Sequence, residues 1–316
     1  MNHRLLSREK LGKIPIYKFA GRIYHHWLIG TKVRLEYRTI YLLKRFDKKS
    51  VGKTILFLPD KPDYSQVLYK ICSTLGYPMT SSVKSRPDLV IAFQDVTKRA
   101  YSATLAEIAA AGYVVNQYCD DISKVKVEEV FREVFGYGTF VDPETHVGQC
   151  VMKSNDNAMH DGEVVECPIG AVRNDTVYQK IVNNVVGDEV QDIRVPIVRG
   201  TVPFVYLKHR RLRSRFSNMN SRVAMGSVDS VFTGDEVTKI KQFADNLGLD
   251  FGELDVLRDI DDGKIYVVDV NNTPCGPPNH LGKADSARAV RLLSNSFNNE
   301  FFARTPERLA HRKDDR

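Results

Sequence analysis

Three oxygen-bearing side chains near the C-terminus are spaced for shared chemistry. In "GELDVLRDIDDGKIYVVDVNNTPCGPP" (252–278), Asp255 stands in one run of strand formers, and Asp269 and Asn271 stand in the next. Asp269 and Asn271 are two apart and so fall on one face of their strand, while Asp255 shares its face with Glu253 and Leu257. Between the runs, "IDDGK" (260–264) carries an Asp-Gly pair that turns a hairpin. Tyr266, Val268 and Val270 are expected on the face opposite Asp269. Two carboxylates and a carboxamide on neighbouring strands offer hard oxygens suited to Mg²⁺, which fills its shell with water and phosphate oxygens. Polar groups inside apolar strands cost free energy unless something binds them. A hairpin with one solvated polar face is the alternative on these residues alone.

The segments upstream must position that hairpin. "KTILFLPD" (53–60) and "PDLVIAFQD" (87–95) read as buried strands, with "YVVNQ" (113–117) as a third. Amphipathic helices are expected over 65–77 and 102–113. Strands alternating with helices imply parallel pairing. No GxGxxG follows the first strand, so a dinucleotide site has no support. A helix over 120–136 follows, with Asp/Ser cap candidates. The chain then becomes strand-rich, at 149–154, 163–169, 177–184, 192–200 and 202–210, the last two forming a hairpin around Gly200. A helix over 234–249 leads into the 252–278 stretch, and a last helix covers about 283–297.

The 316 residues are 42% hydrophobic, which is enough for a packed core. Five cysteines without a CxxC pair exclude a disulfide framework and a structural zinc site, and place the chain in a reducing cytoplasm. No apolar run is long enough to span a bilayer. The net charge of +7 is uneven: residues 1–50 hold thirteen Lys/Arg against three Asp/Glu. A nucleic-acid-binding protein spreads such charge over a folded face, so no nucleic-acid partner is expected. The basic segment 1–50 reads as a helical element packing on the body. Its alternative is a basic amphipathic surface for an anionic membrane or another polyanion.

In this order, a lysine near a helix start, a strand ending in lysine, an Asp/Gly loop, an antiparallel hairpin and then D…DxN followed by Pro and Gly, the chain resembles the ATP-grasp superfamily over about residues 52–295. The resemblance implies an α/β and α+β chain: a Rossmann-like N-terminal domain (51–118), then a two-subdomain ATP-grasp domain (119–300) with mixed and antiparallel sheets and a hinge near 179–184. A charged tail (301–316) would follow. ATP and two Mg²⁺ ions are the implied cofactors, with Asp255, Asp269 and Asn271 as metal ligands.

By the same resemblance, Lys124 and Lys153 contact the nucleotide phosphates, beneath a loop at 154–162 in which His160 faces the γ-phosphate or the substrate. Gln179, Lys180, Ile181 and Val182 would line the adenine, and Asp192 would meet the ribose hydroxyls. Arg194 and Lys208 would line the phosphate or substrate cleft. The run "KHRRLRSR" (208–215) is either a solvated face or a binder of substrate carboxylate or phosphate through Arg211, Arg213 and Arg215. The family's carboxylate–amine ligases often carry an arginine two residues before the first metal carboxylate; here that residue is Glu253. The resemblance implies an ATP-dependent ligase acting through an acyl phosphate. Its alternative is a kinase acting on a hydroxyl of a sugar, polyol or lipid-linked glycan. The substrate would be a small molecule or glycan bearing a carboxylate or phosphate, and the oligomeric state is left open.

Overall fold

The computed structural model describes residues 16–46, 52–159, 161–216 and 219–303, with side chains in the first helix from residue 30 onward. His160 and most of the charged tail (304–316) lie outside the described residues. The chain opens with helix α1 (Ile16–Phe46). Strand β1 (Ile55–Pro59), helix α2 (Val67–Leu75), strand β2 (Met79–Thr80), strand β3 (Leu89–Phe93), helix α3 (Ala103–Ala111) and strand β4 (Val114–Val115) follow. All four strands pair in parallel, in the order β2-β1-β3-β4. Every residue of β3 is buried, as expected of a central parallel strand covered on both faces. The two-residue β2 carries no periodicity and was not expected.

Helix α4 (Lys124–Phe135) is capped by the Ser123 hydroxyl, which accepts from the Lys126 N–H. It precedes a small antiparallel sheet, β6-β5-β7, of β5 (Gly148–Ser154), β6 (Glu163–Cys167) and β7 (Thr176–Lys180). Segment 181–184 crosses from β7 into the largest sheet. That sheet contains β8 (Val185–Val186), β9 (Glu189–Val198), β10 (Val205–Arg211), β11 (Arg222–Gly226), then β12 (Phe251–Arg258) and β13 (Ile265–Asn271) beyond helix α5 (Gly234–Asn246). Its strand order is β11-β10-β9-β12-β13, antiparallel throughout, with β8 on β9. The expected hairpin around Gly200 is β9–β10. Helix α6 (Lys283–Asn298) packs against α2, and a short π-helical turn, Asn299–Ala303, ends the described chain.

One face of the large sheet packs on α4 and α5 through Phe131, Phe243, Ile193, Val195, Leu254, Val256 and Val270. The other face changes character along its strands. Val198, Phe204, Tyr206 and Phe251 share a core with α2, α6 and the parallel sheet. Farther along the same strands, at alternate positions, the side chains are Asp192 and Arg194, Lys208 and Arg210, and Glu253 and Asp255. That switch from apolar to charged puts the site on one sheet face. Asn116, buried with φ 58°, locks the two sheets together. Its side-chain oxygen accepts from the N–H groups of Asp250 and Phe251 (both 2.9 Å), and its amide donates to the Phe251 carbonyl at 2.7 Å.

Register corrects one expectation. The β12–β13 pairing shifts after Asp255↔Asp269, so that Val256 opposes Val267 and Val268 has no opposite partner. This bulge resets the alternation. Val267 and Val270 lie in the core beneath α4 and α5, and Tyr266, opposite Leu257, is buried with them, its ring 6.1 Å from that of Phe131.

Candidate active site

Asp255 and Asp269 are directly opposed across β12 and β13, and Asn271 opposes Glu253 one step along. Arg194 on β9 opposes Asp255 from the other side. Its guanidinium meets Asp255 with two bonds, Nε to Oδ1 at 2.9 Å and Nη2 to Oδ2 at 3.0 Å, and its Nη1 lies 3.4 Å from Glu253 Oε2. Lys208 Nζ donates to Asp255 Oδ1 at 3.2 Å. Burial works against the Asp255 charge, but Arg194 and Lys208 outweigh it and hold the carboxyl well below the usual range. Burial also lowers the Lys208 ammonium, with Asp255 opposing. Arg194 is held above its ordinary value: burial pulls it down, and Asp255 and Glu253 more than offset that.

The remaining carboxylates are less satisfied. Asp269 Oδ1 is buried without a hydrogen-bond partner among the described residues, and burial raises its carboxyl despite Lys124 and Lys153 nearby. Both Glu253 oxygens are likewise without a hydrogen bond, and burial pushes this group up to about 7 against the pull of Arg194. Asn271 Oδ1 accepts from the Thr273 N–H at 2.9 Å, which orients the amide at the strand end. Among the described residues, no three His, Cys, Asp or Glu side chains gather into a metal group on their own. The donor set is two aspartates and an amide. An orphaned buried carboxylate oxygen beside Asp255 and Asn271 fits a small hard cation that takes its other ligands from phosphate and water.

Facing Asp269 is a small cleft, about 120 Å³, lined by Lys124, Lys153, Ala158, Asp161, Phe216 and Asp269 among others. Lys153, near the end of β5, reaches the Val268 carbonyl at 3.5 Å; burial lowers its ammonium to about 8, with Asp269 opposing and Lys124 adding to the fall. Lys124, in the first turn of α4, donates to the Asp156 carbonyl at 2.6 Å. The described residues of the loop after β5 make further attachments. Asn155 accepts from the Val125 N–H (3.0 Å), the Asn157 N–H reaches Thr97 Oγ1 (2.9 Å), and Gly162 lies against the Phe216 ring. A nucleoside triphosphate needs several hundred Å³, so this cleft by itself is smaller than a whole one.

The expected hinge residues are drawn into the protein. Gln179 Nε2 donates to Thr139 Oγ1 at 2.7 Å, and Thr139 in turn is held by Glu128 of α4. Lys180 Nζ sits among Asp259 (3.0 Å), Asp262 (3.2 Å) and the Tyr266 hydroxyl (2.6 Å). The Ile260 N–H donates to the Asn183 carbonyl at 2.8 Å, so the hairpin turn is stitched to segment 181–184. Ile181 and Val182 belong to that segment, and Val182 is buried.

Asp192 is engaged by Arg210 and by Asn184 Nδ2 rather than left open to a ribose. The arginine run divides. Arg215 donates to the Val182 carbonyl (2.9 Å) and Asn184 Oδ1 (3.1 Å), gripping segment 181–184, whereas Arg211 and Arg213 are exposed. None of these three contacts the Asp255–Asp269 group. Arg194 is the cation nearest Glu253, and Arg258 is spent on Glu236 and two carbonyls. The Arg194–Asp255 pair depends on strand register across 61 residues and has no local signal.

No protein-family profile and no curated protein sequence matches the chain. Solved structures do. The ATP-grasp ligase PsnB complexed with precursor peptide PsnA2 and AMPPNP aligns at TM-score 0.52 and 13% identity, over 80% of this chain and 98% of that one. PsnB with a phosphomimetic variant of its minimal precursor, Mg and ADP gives 0.51 and 14%, over 79% and 99%. D-alanine–D-alanine ligase from Bacillus anthracis complexed with ATP aligns at 0.47 and 13%, over 79% and 96%. At such identities the likeness is one of fold, and the fold is ATP-grasp.

Proposed function

We propose that this chain is an ATP- and Mg²⁺-dependent ligase that joins a carboxylate to an amine through an acyl phosphate. The observation that carries the reading is the cross-strand pair Asp255–Asp269, with Asn271 beside it, facing Lys124 and Lys153 across a cleft between two antiparallel sheets. In an ATP-grasp fold that is where a nucleotide's phosphates belong. Asp255, Asp269 and Asn271 would hold Mg²⁺, two ions in the reading adopted here. Bound there, the metal would offset phosphate charge and orient the γ-phosphoryl group.

The chain's own residues supply the rest. Lys124 and Lys153 are set to receive phosphate oxygens, and a bound triphosphate would hold Lys153 in its charged form against the effect of burial. Segment 181–184, backed by Gln179 and Lys180, offers main-chain groups to the adenine edge. Arg194 is a buried guanidinium beside the metal carboxylates and next to Glu253, where the family's ligases often carry an arginine. It supplies from β9 the positive charge that β12 lacks, and so serves the developing charge of the acyl phosphate. Lys208 assists by balancing Asp255. Asp192, Arg210 and Arg215 act as supports, and Arg211 and Arg213 are surface residues in this reading. The proposed division places 51–118 as the N-terminal domain and 119–300 as the ATP-grasp domain.

Both PsnB complexes above hold precursor peptides, so a peptide carboxylate is the first acceptor to try. Phosphoryl transfer to a hydroxyl gains no support from these neighbours. The test is calorimetric binding of AMPPNP with and without Mg²⁺, to wild type and to Asp269→Ala. Binding that requires Mg²⁺ and fails in the variant supports the reading; no binding under either condition removes it.

A further inference from the structure

Helix α1 has two unlike faces. Gly30, Tyr37 and Lys44, spaced by sevens, turn toward the body. A Cβ on Gly30 would stand 2.5 Å from the Tyr64 hydroxyl, Lys70 lies 6.0 Å from the Tyr37 ring, and Lys44 packs on Gly76 at the end of α2. At 3.6 residues per turn, the pole opposite that row holds Leu35, Thr39, Leu42 and Phe46, with Leu43 beside them. These apolar side chains are exposed: Leu35 by 58%, Leu42 by 43%, Leu43 by 68% and Phe46 by 81%. Lys32, Arg38 and Arg45 flank them and are exposed as well, with one acidic residue, Glu36, exposed on the same margin. Arg45 reaches only the Tyr41 hydroxyl, at 3.2 Å, and none of the three basic groups meets a carboxylate among the described residues.

A contiguous apolar stripe directed away from the protein has a partner or an aggregation cost. We propose that this outer face of α1 docks on an anionic lipid surface, with Leu35, Leu42, Leu43 and Phe46 entering the acyl boundary and Lys32, Arg38 and Arg45 meeting the headgroups. Charge selects this occupant. Residues 1–50 hold thirteen basic and three acidic residues, so two copies apposed along α1 would repel each other. A nucleic acid would use the basic flanks and leave the apolar pole in water. Both the stripe and its cationic border are what an interfacial helix requires. The helix crosses no membrane: no described helix is long and apolar enough. Through α2, whose Lys70 donates to the Gly276 carbonyl just beyond β13, the docked helix would fix how the cleft faces that surface.

The test is co-sedimentation of the full chain with vesicles of neutral phosphatidylcholine, and with vesicles in which about one-third is phosphatidylglycerol. Binding is expected to the anionic vesicles alone and to weaken with salt. The triple variant Leu35→Ser, Leu42→Ser, Phe46→Ser should lose it. Arg38→Glu with Arg45→Glu should lower partitioning by about five-fold or more per residue. Because all five positions are exposed, melting temperatures should match wild type. Equal binding to neutral vesicles, no binding to either, or full binding by the triple variant would each overturn the proposal. A wild-type dimer that the triple variant converts to monomer, without vesicle binding, would assign the stripe to a second copy instead.

Discussion

Replacing Glu253 with glutamine is expected to make the metal- and nucleotide-free protein more stable at neutral pH, although it alters a fully buried residue of the candidate site. Neither Glu253 oxygen receives a hydrogen bond among the described residues, and its ion-pair partner, Arg194 at 3.4 Å, is bound more closely by Asp255. Burial therefore raises the carboxyl from its ordinary 4.5 to about 7, with Arg194 opposing. Between those values the folded chain holds a proton that the unfolded chain has released, so stability falls as pH rises through the window. The penalty is absent below about 4.5 and complete above about 7. About 2.5 pH units correspond to roughly 3 kcal/mol. Glutamine keeps the shape and carries no charge. Urea denaturation with a chelator present, from about pH 4 to about pH 8, should give two curves that meet at the acid end and separate by ~3 kcal/mol at the alkaline end. Taking the difference between the proteins removes every other titrating group. Parallel curves, or a variant less stable at about pH 8, would refute the claim that Glu253 is an unsatisfied buried charge.

Asp269→Ala and Asn271→Ala should each lower ATP turnover by about a hundredfold or more while circular dichroism stays that of wild type; turnover within a few-fold would remove these residues from the site. Arg215→Ala should cost about 2 kcal/mol of stability and raise the KM for ATP, because it releases Val182 and Asn184. Arg211→Ala and Arg213→Ala, both exposed, should stay within about 0.5 kcal/mol of wild type and within two-fold in turnover. Lys153 is lowered to about 8 in the free protein, chiefly by burial. Nucleotide binding should therefore take up a proton near that pH and weaken above it, and calorimetry in buffers of different ionisation enthalpy should find the uptake missing in Lys153→Met.

What was legible in the sequence is what local spacing controls. Two-residue alternation and an Asp-Gly turn put Asp255, Asp269 and Asn271 on one side of a hairpin, and the alternation of strands and helices gave the parallel sheet. The bulge at Val268 was invisible, because no Gly or Pro marks it. Edge strand β11 (Arg222–Gly226) carries too little apolar pattern to be read. The environment of Asp255 depends on β9 lying against β12, a pairing between distant segments. Arg215 reads locally as part of a charge run, but the short turn at Leu212–Ser214 carries it onto Val182 and Asn184. For α1 the sequence left two readings open, a packing face and a basic amphipathic surface, because which residues form the outer pole depends on which side of the helix docks.

The central claim, that ATP is spent here on activating a carboxylate, is tested most directly by phosphorus NMR of turnover with Mg²⁺, a panel of carboxylates including acidic peptides, and hydroxylamine as a general nucleophile. The account predicts ADP and inorganic phosphate in equal amounts in the spectrum, a hydroxamate detected separately by its coloured ferric complex, and loss of all three products in Asp269→Ala. A stable phosphate ester formed without any amine would contradict it.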